Sequence, residues 1–133
     1  MAETFDLIVL GAGPGGYTAA IRAAQLGLGV LCVDDGVGKD GKASLGGTCL
    51  NVGCIPSKAL LESSAHYWRC RHEVGRHGVV TGEIRLDLPA MHARKDRVVR
   101  GLAAGVSALF SRHRITTVTG TARLLPGMRV EIA

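Results

Sequence analysis

The sequence lacks several features that would have settled its class at once. No apolar run approaches the roughly 20 residues needed to span a bilayer, so no membrane-spanning helix is expected. The N-terminal stretch MAETFDLIVLGAG has no basic leader, and glycines interrupt its six-residue apolar run, so a secretory signal is not expected. Aromatic residues make up only 4% of the chain, too few for a nucleic-acid surface of interleaved aromatics and cations. Neither membrane nor nucleic acid is an expected partner. A cytoplasmic setting follows as the expectation. Stable disulfides are uncommon there, and a close cysteine pair is more often catalytic, redox-sensing or metal-binding than structural.

What remains is enough for one domain. The chain has 133 residues, 47% of them apolar, and an ordinary core is within reach. Charge is uneven. Residues 1–65 carry four Lys/Arg against six Asp/Glu, a net of −2, and residues 66–133 carry twelve against five, a net of +7. The arginines are spread over helical and loop segments, which suits a solvated face or a surface toward an acidic partner.

The order of elements is that of an α/β unit. FDLIVL (5–10) is a continuous apolar run of strand length, read as a strand buried on both faces. GAGPGG turns the chain, and YTAAIRAAQLG (17–27) is an alanine-rich helix with a glycine at its stop. GVLCVDD (29–35) is a second strand, which completes a right-handed βαβ unit with parallel strands. Residues 36–47 are glycine-rich and polar and read as a flexible loop. A second helix is expected from Cys49 to about Arg71, with an irregular start. A third is expected over 85–113, with Asp87 as its cap and Pro89 in its first turn. Leu88, Met91, Val98, Val99, Leu102, Val106, Leu109 and Phe110 form its apolar stripe. ITTVTG (115–120) reads as a third strand, and TARLL with MRVEIA as a hairpin or short meander. No internal repeat or dividing linker is visible.

The first chemical motif is Gly11-x-Gly13-x-x-Gly16, weak alone in a chain with 19 glycines. Its context strengthens it, because it follows a predicted strand, opens a helix, and precedes an acidic residue at the end of the second strand. Asp34 stands eighteen residues past Gly16, close to the roughly twenty of a dinucleotide fingerprint. Gly11 permits the tight turn, Gly13 lets a pyrophosphate approach the backbone, and Gly16 lets the helix pack closely on the strand. Free amides and the helix dipole then receive the phosphates, and Asp34 accepts from the adenosine ribose. The fingerprint alone does not separate FAD from NAD.

The second motif is GGTCLNVGCIPSKALL, residues 46–61. Cys49 and Cys54 stand at i and i+5. In a straight helix that spacing is a rise of about 7.5 Å, beyond the Cα separation of about 7 Å that a disulfide bridges. Gly53 lets the backbone bend, and Pro56 disfavours the helical region for Ile55. An irregular turn over 49–56 that then enters a helix is therefore expected. Cys54 sits near that helix's N-terminus with Lys58 one turn on. Dipole and ammonium both favour thiolate, holding the thiol below its usual value of about 8.5. The pair reads as a redox centre. A zinc site lacks two further ligands at short spacing. A plant-type iron–sulfur centre needs a cysteine where Ser57 stands. Two unpaired structural cysteines remain the other reading. Cys32 and Cys70 read as buried or incidental thiols, and the five histidines form no pattern with a carboxylate and nucleophile.

VLGAGPGGYTAAIRAAQLG, the Asp34 position and above all GGTCLNVGCIPSKALL resemble the N-terminal part of the flavin-dependent disulfide reductases. Glutathione and mercuric reductases have similar cysteine segments, but the run Ile55–Leu60 resembles most the dihydrolipoamide dehydrogenase branch. The resemblance covers essentially the whole chain. It implies a Rossmann-like FAD-binding domain with a parallel sheet, FAD at the glycine fingerprint and NAD on a later domain. It also implies that Cys49 is the interchange thiol and that Cys54 lies against the flavin in a charge-transfer complex. Lys58 would lie near the flavin N5, Gly47 and Thr48 would help hold the cofactor, and Gly120 and Ala122 would run beside the adenine. The implied partners are lipoyl groups of 2-oxo acid dehydrogenase complexes or of the glycine cleavage system, with a homodimer as the full-length assembly.

Two departures stand out. The family more often has glutamate where Asp34 stands, one methylene longer. Its members also run to several hundred residues, with an NAD domain, a return segment that completes the FAD domain, and an interface domain bearing a His/Glu base. No second fingerprint follows residue 70, and no His-x-x-x-x-Glu occurs. Residues 1–133 are thus expected to be a partial FAD-binding domain, a fragment or truncated product inactive by itself. The rival is a non-catalytic redox or nucleotide-binding module that uses the pair as a sensor.

Overall fold

The computed structural model describes residues 3–38 and 41–133. Its frame is a three-stranded parallel sheet in the order β1 (Leu7–Leu10), β2 (Val30–Asp34), β3 (Thr116–Thr119). Helix α1 (Pro14–Gln25) joins the first two strands, and α2 (Gly47–Asn51), α3 (Cys54–His72) and α4 (Leu88–Arg112) lie between the second and third. A hairpin of β4 (Ala122–Leu125) and β5 (Arg129–Ile132) follows. This is the mixed α/β architecture the sequence predicts, and it is consistent with a Rossmann-like FAD-binding domain.

β2 is paired on both sides and buried at Val30 to Val33. One core cluster gathers Val30 and Cys32 with Ala20 and Ala23 of α1, Val106 and Phe110 of α4, Leu50 of α2, and Ala12 and Ile115. β1 differs from its expected double burial. Leu7, Ile8 and Val9 are half-buried and Leu10 is exposed, because β1 is an edge of this sheet among the described residues.

The helix ends are set by local chemistry. Gly13 caps α1 and Pro14 is its first residue, where a missing amide costs nothing. At the other end Gly27 has φ of 88°, its amide reaches Ala24 O, and that of Leu28 reaches Ala23 O, the double bond of a Schellman stop. Asp87 caps α4, its Oδ1 accepting from the Ala90 amide at 2.9 Å. The α4 stripe is only partly buried: Val106 and Phe110 enter the core, whereas Leu88, Leu102 and Leu109 are exposed. The loop read as flexible is tied at its stem, where Val37 bridges Ala43 and the Gly38 amide reaches Lys42 O.

Two expectations about the second helix need correction. It is not one helix from Cys49 to Arg71, because α2 ends at Asn51 and α3 begins afresh at Cys54. Nor is Ile55 displaced from the helical region by Pro56. Both lie in the first turn of α3, where the amide that proline lacks is one of the unpaired ones anyway. The break falls at Val52 and Gly53, and the Ser57 amide closes the new helix onto Gly53 O at 3.1 Å.

Candidate functional site

The break brings the two thiols together. Cys49 is on α2, Cys54 is the first residue of α3, their Cα atoms are 4.6 Å apart, and the sulfurs form a disulfide. Glycine at 53 matters because a Cβ there would stand 3.0 Å from Thr48 O and 3.3 Å from Cys49 Cα. Cys54 is exposed and Cys49 half-buried, so the sulfur assigned to substrate is the less open of the two in this chain. Among the described residues no cluster of three or more His, Cys, Asp or Glu could hold a metal ion.

The glycine turn lies against this segment. Gly11 has φ of 92°, a conformation that disfavours a side chain. A Cβ on Gly16 would overlap the Gly11 carbonyl, so the helix sits directly on the backbone of the turn. A Cβ on Gly13 would meet nothing within 4 Å, which leaves its outer side open. Gly47, at the start of α2, closes onto that residue from the other direction, since a Cβ there would stand 2.6 Å from Gly13 Cα. The Gly46 amide donates to Ala12 O at 2.9 Å. Turn and cysteine segment are therefore in direct backbone contact.

Asp34 ends β2 and faces the same turn. Its Oδ1 accepts from the Ala12 amide at 3.0 Å, while Oδ2 is buried with no hydrogen-bond partner. A buried carboxylate oxygen without a donor is costly, and its position fits a ligand hydroxyl. It lines a cleft of about 320 Å³ with Gly36, Ser44, Ser107, Thr117 and Thr119. The open backbone at Gly13, the orphaned oxygen and this hydroxyl-rich cleft fit a dinucleotide with its ribose at Asp34.

The remaining predicted residues are less tightly gathered. Thr48 is exposed beside Gly47. Lys58 is exposed and lines a second groove with Ile55, Ala59, Glu62, Arg94 and Val98. Ala122 is half-buried at the start of β4, but the amide that reaches Asp34 O, at 3.1 Å, is that of Gly120. Sequence reasoning missed two supports. Arg94 spans from α4 to α3, donating to Glu62 Oε2 at 2.7 Å and to Ala59 O at 3.2 Å. Asn51 ties the loop before α2. Its signal was visible: asparagine is a poor helix residue because its amide competes for backbone groups.

The Cys32 thiol, two residues from Asp34 on β2, is pushed up to about 11, chiefly by burial and further by the Asp34 charge. It is therefore a protonated packing group and no part of the redox pair.

A model of the pyridine nucleotide-disulphide oxidoreductase family matches residues 5–129. The chain is 45% identical to a dihydrolipoyl dehydrogenase of Cupriavidus necator, over all of this chain and 29% of that protein. It is 49% identical to dihydrolipoyl dehydrogenase 3 of Pseudomonas aeruginosa, over all of this chain and 27% of that protein. It is 46% identical to dihydrolipoyl dehydrogenase 2, mitochondrial, of Arabidopsis thaliana, over 96% of this chain and 24% of that protein. The chain thus spans about a quarter of the length of these relatives.

Proposed function

The chain belongs to the pyridine nucleotide-disulphide oxidoreductase family, and from that premise we propose that it is the N-terminal, FAD-binding portion of a dihydrolipoyl dehydrogenase. The whole enzyme moves electrons from dihydrolipoamide, through Cys49 and Cys54 and then FAD, to NAD. One observation carries the reading: a Cys49–Cys54 disulfide on a broken helix whose first residue, Gly47, packs against Gly13 of a dinucleotide turn.

Residues 1–133 form part of the FAD domain in this proposal. Gly11, Gly13 and Gly16 admit the pyrophosphate to the N-terminus of α1, and Asp34 holds the adenosine ribose through its unpaired Oδ2. Gly47 and Thr48 bound the middle of the cofactor, and the backbone near Gly120 and Ala122 borders the adenine. Lys58 places a positive charge one turn beyond Cys54. FAD, when bound, supplies the two-electron acceptor that hands a hydride to NAD.

The cysteines perform the exchange. A dihydrolipoyl thiolate attacks the Cys49 sulfur, the Cys49–Cys54 bond breaks, and Cys54 leaves as thiolate. The second substrate thiolate then attacks the substrate sulfur of the mixed disulfide and releases Cys49. The substrate loses two electrons and two protons and becomes a disulfide, and the pair gains the electrons. One proton ends on Cys49, and the other passes to the His/Glu base of the whole enzyme's interface domain, which leaves Cys54 as thiolate. The N-terminus of α3 and the Lys58 ammonium stabilise the departing Cys54 thiolate. Lipoyl groups of 2-oxo acid dehydrogenase complexes or of the glycine cleavage system are the proposed partners. The proposed assembly is a homodimer in the cytoplasm. The names of the relatives support the lipoyl substrate alone.

A flavin titration of the 133-residue chain tests it. Quenching of FAD fluorescence is expected, and Asp34→Ala should weaken binding by about tenfold or more, the worth of one hydrogen bond to a charged group. Asp34→Glu should retain most of the affinity. Absence of FAD binding, or an Asp34→Ala chain that binds as well as the parent, contradicts the proposal.

A further inference from the structure

Helix α2 has only five residues, too few to hold its shape by its own backbone bonds. Two glycines with positive φ precede its body, Gly46 at 114° and Gly47 at 62°, and glycine in such places leaves the chain with much freedom to lose. Something else must fix the segment that carries Cys49. The side chain of Asn51 is placed to do so. Its Nδ2 donates to Gly47 O at 3.1 Å and to Leu45 O at 3.3 Å, and its Oδ1 accepts from Ser44 Oγ at 2.8 Å. One amide thus binds the loop on both sides of Gly46.

The connection continues to the nucleotide end. The Ser44 amide donates to Gly36 O at 3.0 Å, the Gly46 amide to Ala12 O at 2.9 Å, and the Ala12 amide to Asp34 Oδ1 at 3.0 Å. From the Asp34 carboxylate to the turn of α2 that bears Cys49, every step is a hydrogen bond or a short stretch of backbone. Asn51 is its only side-chain amide.

We infer that Asn51 is a positioning residue: its amide locks the 44–47 loop so that Cys49 is held at bonding distance from Cys54 and in register with the nucleotide turn. This role rests on the proposed thiol–disulfide exchange, in which the local concentration of one thiol about the other sets how readily the bridge opens and closes. Without the amide, α2 moves more freely, the two thiols meet less often, and the disulfide becomes easier to reduce. An aspartate of the same shape is no substitute, because it keeps the bond from Ser44 but turns a carboxylate oxygen toward the carbonyls of Leu45 and Gly47.

The test is the equilibrium of the Cys49–Cys54 bridge in the 133-residue chain against graded ratios of oxidised and reduced dithiothreitol. The products are trapped in acid and the bridge is counted by mass spectrometry. Asn51→Ala and Asn51→Asp should each shift the half-reduction point by about tenfold toward weaker reductant, the effect of roughly 1.4 kcal/mol. Ser44→Ala should shift it less. Val30→Ala, which thins the core at the start of β2, the opposite end of the sheet from the glycine turn, should lower the melting temperature yet leave the half-reduction point within about twofold, as expected for a distant site. Asn51 variants that shift no further than Val30→Ala overturn the inference. No flavin enters this measurement. Failure of FAD binding would therefore sink the functional proposal alone, and an unmoved half-reduction point would sink the role of Asn51 alone.

Discussion

Asp34 and Cys32 stand two positions apart on β2, on one face of the strand, and their surroundings give them opposite tasks. Asp34 ends the strand with one oxygen satisfied by Ala12 and the other buried without a hydrogen-bond partner. Cys32 is fully buried, and its thiol is pushed from an ordinary 9.0 up to about 11, first by burial and then by the Asp34 charge. The folded chain therefore holds that proton more tightly than the unfolded chain does. Its contribution to stability is complete below about pH 9 and is lost as the pH rises toward about 11. Urea midpoints measured across that window should fall for the parent chain and fall less for Cys32→Val. Coincident slopes would contradict the burial-driven shift. At neutral pH, thiol reagents should label the half-buried Cys70 before Cys32.

Among the elements, those with a long and regular pattern were legible. The apolar run of β2, the alanine-rich face of α1 with its glycine stop, and the Asp87–Pro89 start of α4 all form within a few residues of where composition puts them. The cysteine segment was legible only in its need to bend. Its true break, at Val52 and Gly53, and the start of α2 at Gly47 depend on contacts with Ala12, Gly13 and Ser44, which no local pattern reveals. Pro56 misled for a related reason: a first-turn position tolerates it. Exposure along α4 was hidden as well, since periodicity marks a stripe but not how much of it meets a neighbour. Gly53→Ala tests the bend. Its Cβ would press on backbone atoms of α2, so a loss of about 1–3 kcal/mol is expected, larger with the bridge closed than after reduction. Urea unfolding with and without reductant measures both, and equal losses would mean that the bridge does not hold α2 against α3.

At the scale of the molecule, the sheet brings the C-terminal ends of β1 and β2 to one rim, and the α2–α3 break is packed onto that rim through Gly46 and Gly47. The glycine turn and the reducible bridge are thereby packed together. The sequence carried the parts, in the glycine spacing, Asp34 and the Cys49–Cys54 interval; it did not carry their contact, which is a backbone packing of glycine on glycine. The central claim is that Cys54 faces the flavin and Cys49 the substrate. The visible spectrum of the FAD-loaded chain under mild reduction tests it most directly. The parent chain should gain a long-wavelength band from a thiolate beside the oxidised ring, Cys54→Ser should abolish it, and Cys49→Ser should keep or strengthen it. A band that survives Cys54→Ser and vanishes with Cys49→Ser would contradict the account.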